Sequence, residues 1–322
     1  MNHGRWIEDS QAKWLTKRPC QTEAKFFSDF CAIANLHQRK SYTWRPTYGN
    51  IEEFSHQRFC AILGGRDILV VGDSLNQEFF HTVVAAMLDN DTSLNTTARC
   101  AMEPPWRERT SVWSELLPCA PPWAPINISF VWSHHLLLKE EEKIQGGKVV
   151  VLDAAWVEAL AKHNYNVLFI NTGMHYHPEM PRNVMEAISH ITSAHSNVSV
   201  VYRFAPPGHV GCETEFHSSP LLMAQNESVY ALDGKYPNHR SHSYHWFDVV
   251  AQNYEVDDML HSRFPHVVHL NVVNSTILRI DSHVIKTGRW IPEDCLHYCI
   301  PGPIDQWVTF FFNALEKIST WK

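Results

Sequence analysis

The chain has 322 residues, 44% of them hydrophobic and 19% charged, enough for one large domain or two small ones around a sizeable core. Its net charge is −7 and it has no basic block, which argues against nucleic acid as a partner. The most apolar runs, DILVV and NVLFI, are strand-sized and far shorter than a membrane span.

In chain order, the opening MNHGRWIEDSQAKW lacks the hydrophobic region of a leader, which by itself suggests a cytosolic protein. Residues 1–60 are polar and aromatic, carry Cys20, Cys31 and Cys60, and show no long periodic run. They read as an arm packed on a main domain that occupies 61–322. RDILVVGDSLNQEFFHTVVAAML predicts a buried strand, a tight turn and a helix, with Leu75, Phe79, Phe80, Val83, Val84, Met87 and Leu88 at helical spacing. Residues 89–125, rich in Pro, Trp, Ser and Thr, read as a long surface insertion.

Beyond the insertion, INISFVW predicts a strand, LDAAWVEALAKH a short helix, and NVLFINTG a strand entering a glycine turn. PRNVMEAISHITSAH predicts a helix and NVSVVYRFAPPG a strand, followed by a long polar loop over 211–245. FDVVAQNYEVDDML is helical, HVVHLNVV reads as the last strand, and PIDQWVTFFFNALEKI as the terminal helix. Strands alternate with helices, and their apolar runs are continuous. That pattern predicts an α/β fold, a three-layer α/β/α sandwich with a central parallel sheet.

Eight cysteines (20, 31, 60, 100, 119, 212, 295 and 299) include no C-x-x-C pair. Glycosylation triplets begin at Asn90, Asn95, Asn127, Asn197, Asn226 and Asn274, where chance supplies about two. An even cysteine count with surplus sequons points to a lumenal or secreted protein, tethered only through a leader or anchor outside this chain. The competing reading is a cytosolic protein with free thiols.

Three constellations could carry chemistry. Gly72-Asp73-Ser74 falls where the first buried strand meets its helix, and in an open α/β sheet ligands bind beyond the carboxyl ends of the strands. Ser74 there has its hydroxyl at the mouth of a site, next to helix N-terminal amides able to stabilise an oxyanion. The plain structural alternative is a capping box, Ser74 with Gln77. Asn171-Thr172-Gly173 ends a central strand, where Asn171 could donate to an oxyanion and Gly173 lets the backbone turn close to a ligand; the same tripeptide is also an ordinary turn. In PEDCLHYCIPGPIDQW, Asp294 and His297 could form the oriented base that a serine nucleophile needs, on a loop tied down by Cys295 and Cys299. An exposed acid and a solvated histidine are the alternative. The order of the three is that of SGNH hydrolases.

These blocks resemble the PC-esterase family, whose best-known branch is the plant trichome-birefringence-like polysaccharide O-acetyltransferases. The resemblance rests on VVGDSL, VLFINTGMHYH and DCLHYCIPGPIDQW, with WRPTYGNIEEFSHQRFCAILGGRDILVVGDS, FVWSHHLLL, VVYRFAPPGHVGC and LRIDSHV in the same order, over roughly residues 20–315. It implies Ser74 as nucleophile, His297 as general base and Asp294 as its orienter. Gly173, Asn171, Asp73 and Arg203 fall on the oxyanion or substrate side. It also implies double displacement through an acetyl-serine, with an acetyl donor, a glycan acceptor, no metal and no bound cofactor, in the Golgi lumen or outside the cell. This chain departs from the plant branch in having Gln77-Glu78-Phe79 where Arg-Asn-Gln is usual, and Met174 and Tyr176-His177 where His and Trp are usual. Those departures bear on donor and acceptor more than on the triad.

Transfer to a glycan is therefore the expected activity, hydrolysis of acetyl esters the second reading, and an idle glycan-binding module the third. The 21 histidines, including His175, His177, His242, His245 and His134-His135, show none of the recognised metal-ligand spacings and read as surface or groove residues. Arg203 and His209, in the loop after a predicted strand, could face the site, and Arg203 reads equally well as a structural ion-pair partner. Trp44, Trp106, Trp113, Trp123 and Trp132 have faces able to stack on sugars, although packing accounts for most tryptophans of this kind.

Overall fold

The computed structural model describes residues 3–9, 42–88, 112–139, 141–145, 148–152, 155–173, 176–209, 212, 219–220, 245–284, 294–299 and 302–319. In chain order, strands β1 (Gly4–Glu8) and β2 (Tyr42–Pro46) precede helix α1 (His56–Leu63), strand β3 (Ile68–Gly72) and helix α2 (Ser74–Leu88). Strands β4 (Trp113–Leu117), β5 (Ile126–Trp132), β6 (Glu141–Gln145) and β7 (Lys148–Leu152) come next, then α3 (Ala155–Lys162), β8 (Val167–Ile170) and α4 (Met180–Ala194). The chain continues through β9 (Ser199–Arg203), α5 (Trp246–Arg263), β10 (Val268–Leu270), α6 (Val273–Ile277), β11 (His283–Val284), β12 (Asp294–Tyr298) and α7 (Pro303–Ser319).

Six strands form the central sheet in the order β10-β9-β8-β3-β5-β4. All neighbours run parallel except β4, which is antiparallel to β5. The middle strands are buried along their whole length, which is why they read as unbroken apolar runs. Alternate residues feed two cores. Ile68, Val70, Phe169 and Val201 join α2 and α7 on one face. Leu69, Val71, Leu168, Ile170, Val200 and Tyr202 join α3, α4 and the C-terminal half of α5 on the other. This is the three-layer α/β/α sandwich expected.

After β3 the chain covers the first face with α2, and after the adjacent β8 it covers the opposite face with α4. The carboxyl ends of β3 and β8 therefore flank the crevice where an open parallel sheet changes winding direction.

Several elements differ from the sequence reading. The stretch taken as a surface insertion contains β4, an edge strand whose side chains alternate between the sheet and solvent. The first sixty residues contain β1 and β2, an antiparallel ribbon fastened to the core by Trp6 Nε1–H donating to the Ser275 carbonyl at 2.8 Å. EEKIQ and KVVVL pair as a hairpin. HVVHL is not the last strand: the D-x-x-H segment is itself β12, paired with β11 rather than forming a loop. Of the sequons, Asn127 is built into β5 with its Nδ2 on Ser129 Oγ, whereas Asn197 is exposed between α4 and β9. Asn90, Asn95 and Asn226, with Cys20, Cys31, Cys100, Trp106, Met174, His175 and His242, lie outside the described residues.

Disulfides join Cys60 to Cys119 and Cys212 to Cys295, and Cys299 is disulfide-bonded too. Among the described residues no helix is long and apolar enough to cross a membrane.

Candidate active site

Ser74 opens α2 at the carboxyl end of the central strand. Its Oγ lies 2.7 Å from Nε2 of His297, which arrives on β12 from 223 residues further along. The helix is capped by the residue before the serine: Asp73 Oδ1 accepts the Leu75 N–H at 3.0 Å, while its carbonyl takes the N–H groups of Asn76 and Gln77. The capping-box alternative thus gives way. Because Asp73 caps the helix, the Ser74 hydroxyl is left for the histidine.

A side chain at position 72 would not fit. A Cβ there would meet Asn76 Nδ2 at 2.4 Å and the Asn171 carbonyl at 2.7 Å, so the turn needs glycine. The close approach lets Asn76 Nδ2 bond the Val71 carbonyl at 2.6 Å and pins the first helical turn to the strand. On the far side the Ser133 N–H donates to the Gly72 carbonyl at 2.9 Å, and the Thr172 hydroxyl donates to the His134 carbonyl. The ends of β5, β3 and β8 are thereby held together around the serine.

Arg203, the last residue of β9, has no exposed surface. It therefore does not face substrate, the role set beside ion pairing in the sequence reading. Its Nε and Nη2 donate to Asn76 Oδ1 at 3.0 and 2.8 Å, Nη2 also donates to Asn171 Oδ1 at 2.5 Å, and Nη1 reaches the Phe204 carbonyl at 3.1 Å. The guanidinium lies 4.6 Å from the Trp307 ring centroid and 3.9 Å from Asp73 Oδ1. Burial pulls its pKa down to about 10 against the opposing pull of the Asp73 charge, so it remains cationic at neutral pH.

Asn171 is likewise turned into the fold. Its Nδ2 donates to the carbonyls of Thr172 at 2.9 Å and Arg203 at 2.6 Å, which uses both of its N–H groups and leaves none for an oxyanion. Gly173, at φ 134°, approaches Ala205 so closely that a Cβ would sit 3.1 Å from the alanine methyl. Neither the Gly173 nor the Ser74 backbone N–H has an acceptor among the described residues. Asp294 is the first residue of β12, and only its backbone is described.

Two buried histidines hold His297 from behind, and one of them is His209, which the sequence reading set facing the site. His283 Nδ1 is 2.8 Å from the His297 carbonyl, His209 Nδ1 is 2.5 Å from His283 Nε2, and His209 Nε2 is 2.6 Å from the Ile277 carbonyl. Both rings are buried, and His283 stacks on Tyr298. His283 belongs to the LRIDSHV block, so a signal was present without a stated task. The remainder of PGPIDQW is structural. Pro303 starts α7, Asp305 Oδ2 accepts the Gly302 N–H at 2.7 Å, and Trp307 Nε1–H donates to Thr276 Oγ1 at 2.8 Å beneath Arg203.

Among the described residues, His134, His135 and His177 make ring contacts with one another, and one cluster with ligand geometry, Asp257, His261 and His269, lies on α5 and β10. Its Nδ1 to Oδ1 contacts, 2.7 and 3.2 Å, are at hydrogen-bond distance.

An open parallel sheet with a serine–histidine pair at its switch point defines an α/β protein built for acyl chemistry. The comparisons agree with that class. The PC-Esterase model, described as a GDSL/SGNH-like acyl-esterase family found in Pmr5 and Cas1p, matches residues 231–314. Along 98% of its length the chain is 19% identical to xyloglucan O-acetyltransferase 3 of Populus trichocarpa, of which the alignment covers 85%. It is 20% identical to protein trichome birefringence-like 18 of Arabidopsis thaliana, covering 98% of this chain and 65% of that protein. A shorter match, 36% identical over 63 residues and 16% of the chain, is to xyloglucan O-acetyltransferase 1 of the same plant.

Proposed function

We propose that this protein is a polysaccharide O-acetyltransferase working through a Ser74–His297–Asp294 triad and an acetyl-serine intermediate. The observation that carries the reading is the 2.7 Å contact of Ser74 Oγ with His297 Nε2 at the switch point of the sheet. The xyloglucan O-acetyltransferases among its relatives support the choice of a glycan acceptor.

Ser74 Oγ attacks the acetyl carbonyl of the donor while its proton passes to His297 Nε2. The carbonyl electrons move onto oxygen, where the Ser74 and Gly173 N–H groups and the positive end of α2 stabilise them. Collapse expels the donor's leaving group, which takes the proton from His297, and leaves acetyl on Oγ. A sugar hydroxyl then gives its proton to His297, attacks the acetyl carbonyl and releases Ser74. Asp294 holds the imidazole in the tautomer this requires. Arg203, Asn171, Asp73 and Asn76 position the turn from inside the fold.

Water in place of the sugar hydroxyl gives an acetyl esterase, a reading favoured by the acyl-esterase character of the matching family model. The disulfides support a lumenal or secreted setting, because such bonds persist in oxidising compartments.

The test uses protein from a secretory host with a chromogenic acetyl ester, with and without oligosaccharides, for wild type and Ser74→Ala. Acetylated sugar formed only by wild type supports transfer, and Ser74-dependent acetate release without it supports hydrolysis. Turnover that survives Ser74→Ala overturns the assignment.

A further inference from the structure

Of the residues in α2, Ser74, Gln77 and His81 alone escape full burial, so the helix presents one open stripe that begins at the nucleophile. Gln77 lies one turn from Ser74, and its side-chain amide has no partner among the described residues.

Trp132 lies on the same face of the sheet as α2. It is the last residue of β5 and pairs in register with Gly72, the residue two before Ser74. Phe130, two residues earlier on the same face of the strand, packs against Phe80 of α2 with ring centroids 6.0 Å apart. Two strand residues advance about 6.6 Å and four helical residues about 6 Å, and strand and helix run in opposite directions. The step from Phe130 to Trp132 therefore matches the step from Phe80 back to Asn76 and Gln77. That register brings Trp132 level with the first turn of α2, on the face of the sheet this helix covers.

The indole is held in place but not covered. Phe130 and His134 contact it edge-on, with centroids 5.5 and 5.4 Å away and interplanar angles of 73° and 84°. The ring remains partly exposed, and its Nε1–H has no acceptor among the described residues. The neighbouring Trp113, by contrast, has its indole N–H buried. An aromatic face of fixed orientation, an open N–H and an open amide within one turn of a nucleophile match a pyranose ring. Such a ring offers an apolar C–H face to stack on and hydroxyls around its edge to hydrogen-bond.

We infer that Trp132 and Gln77 form a sugar subsite, with the indole as a stacking platform that seats one pyranose of the glycan beside Ser74 and the Gln77 amide bonding its hydroxyls. This rests on the acyl-transfer reading for its substrate class, but binding at the platform can be read without turnover. Neither side chain carries a charge, so the subsite fits a neutral sugar in preference to a uronate.

The experiment titrates cellotetraose, xylotetraose and chitotetraose into the Ser74→Ala protein and into Ser74→Ala carrying Trp132→Ala, Trp132→Phe or Gln77→Ala. Saturation-transfer NMR reads contact and calorimetry reads affinity. Trp132→Ala is expected to weaken binding of at least one tetrasaccharide tenfold or more, Trp132→Phe to recover part of it, and Gln77→Ala to weaken it severalfold. In the Ser74 background, Trp132→Ala should lower the ratio of oligosaccharide to chromogenic-ester turnover, mainly through KM. Near-UV and far-UV circular dichroism check that each variant is folded. Binding by folded Trp132→Ala within twofold of the parent, or no binding of any tetrasaccharide by Ser74→Ala, overturns the subsite. Turnover that survives Ser74→Ala sinks the catalytic reading, and the titrations still decide the platform.

Discussion

Nδ1 of His209 lies 2.5 Å from Nε2 of His283, and the two rings bridge a pair of main-chain carbonyls, Ile277 at one end and His297 at the other. Carbonyls only accept, so His209 Nε2 and His283 Nδ1 must both donate. The contact between the rings needs one more proton. With a proton between the rings as well, the pair would carry one positive charge inside the fold, behind the backbone of the proposed base. The expected consequence is a proton resonance at unusually low field that His209→Gln abolishes. His283→Phe should lower kcat by about 10- to 100-fold with little change in KM, because His297 is no longer held at its position. His283→Asn, which keeps a donor close to the place of Nδ1, should recover part of that loss. Equal kcat in wild type and His283→Phe would remove the positioning role.

Arg203 couples the Ser74 turn to two strands through buried side-chain acceptors. Removing the guanidinium strands Asn76 Oδ1, Asn171 Oδ1 and the buried Asp73 carboxylate. Loss of one partner from a buried charged network costs about 3–5 kcal/mol. Arg203→Met should lower stability by that order in denaturant unfolding. Arg203→Lys should recover only part, since an ammonium cannot span Asn76 and Asn171 in the same fixed fork. A loss below about 1 kcal/mol would mean that water or rearrangement satisfies the stranded groups.

The core of this fold was legible because buried parallel strands are written as continuous apolar runs, and DILVV, VLFI and SVVYR each became one. Ser74 was legible for the same reason, as a serine at the end of such a run. Strand β4 was not, because five residues of edge strand in a Trp- and Pro-rich stretch alternate too briefly to stand out. Nor could the inward turn of Arg203 and Asn171 be read, since a polar residue at a strand end faces substrate or core according to what packs against it. In this chain Trp307 and Asn76, 104 positions after and 127 before Arg203, decide the matter. Gln77 and Trp132 became visible only when helix and strand were laid side by side.

His81 lies on the Ser74 side of α2, two turns on, where its ring is largely enclosed. Its ring packs edge-on to Phe80 and near Trp113, and burial pushes its pKa down to about 4. The unfolded chain takes up this proton near 6.5, so between about 4 and 6.5 it holds more protons than the folded protein. Stability contributed by neutral His81 is complete above 6.5 and is lost as pH falls toward 4. Urea midpoints measured from pH 7 to pH 4 should fall more steeply for wild type than for His81→Gln. Parallel curves would show that the ring titrates normally.

The two described disulfides should separate stability from activity. Cys60–Cys119 closes 59 residues and fixes α1 to the segment after β4, whereas Cys212–Cys295 closes 83 residues and ends two positions before His297. In the chain-entropy account each contributes about 4 kcal/mol, since the contribution grows only with the logarithm of loop length. Paired Cys→Ser replacements should therefore lower denaturation midpoints by similar amounts. Their effects on turnover should diverge. Freeing Cys212 and Cys295 loosens β12, which the His209 N–H also holds by donating to the Cys295 carbonyl at 2.8 Å. An ångström of drift at His297 is enough to cost about 100-fold in rate. Opening Cys60–Cys119 leaves the Ser74–His297 contact and its supports in place, so its kcat should remain within about twofold of wild type, well short of the penalty for a misplaced base. Ester hydrolysis well below the denaturation midpoint of both variants reads the difference. Equal losses of activity would show that β12 is positioned by α7 and the sheet, and that the cysteine two positions before His297 contributes to stability alone.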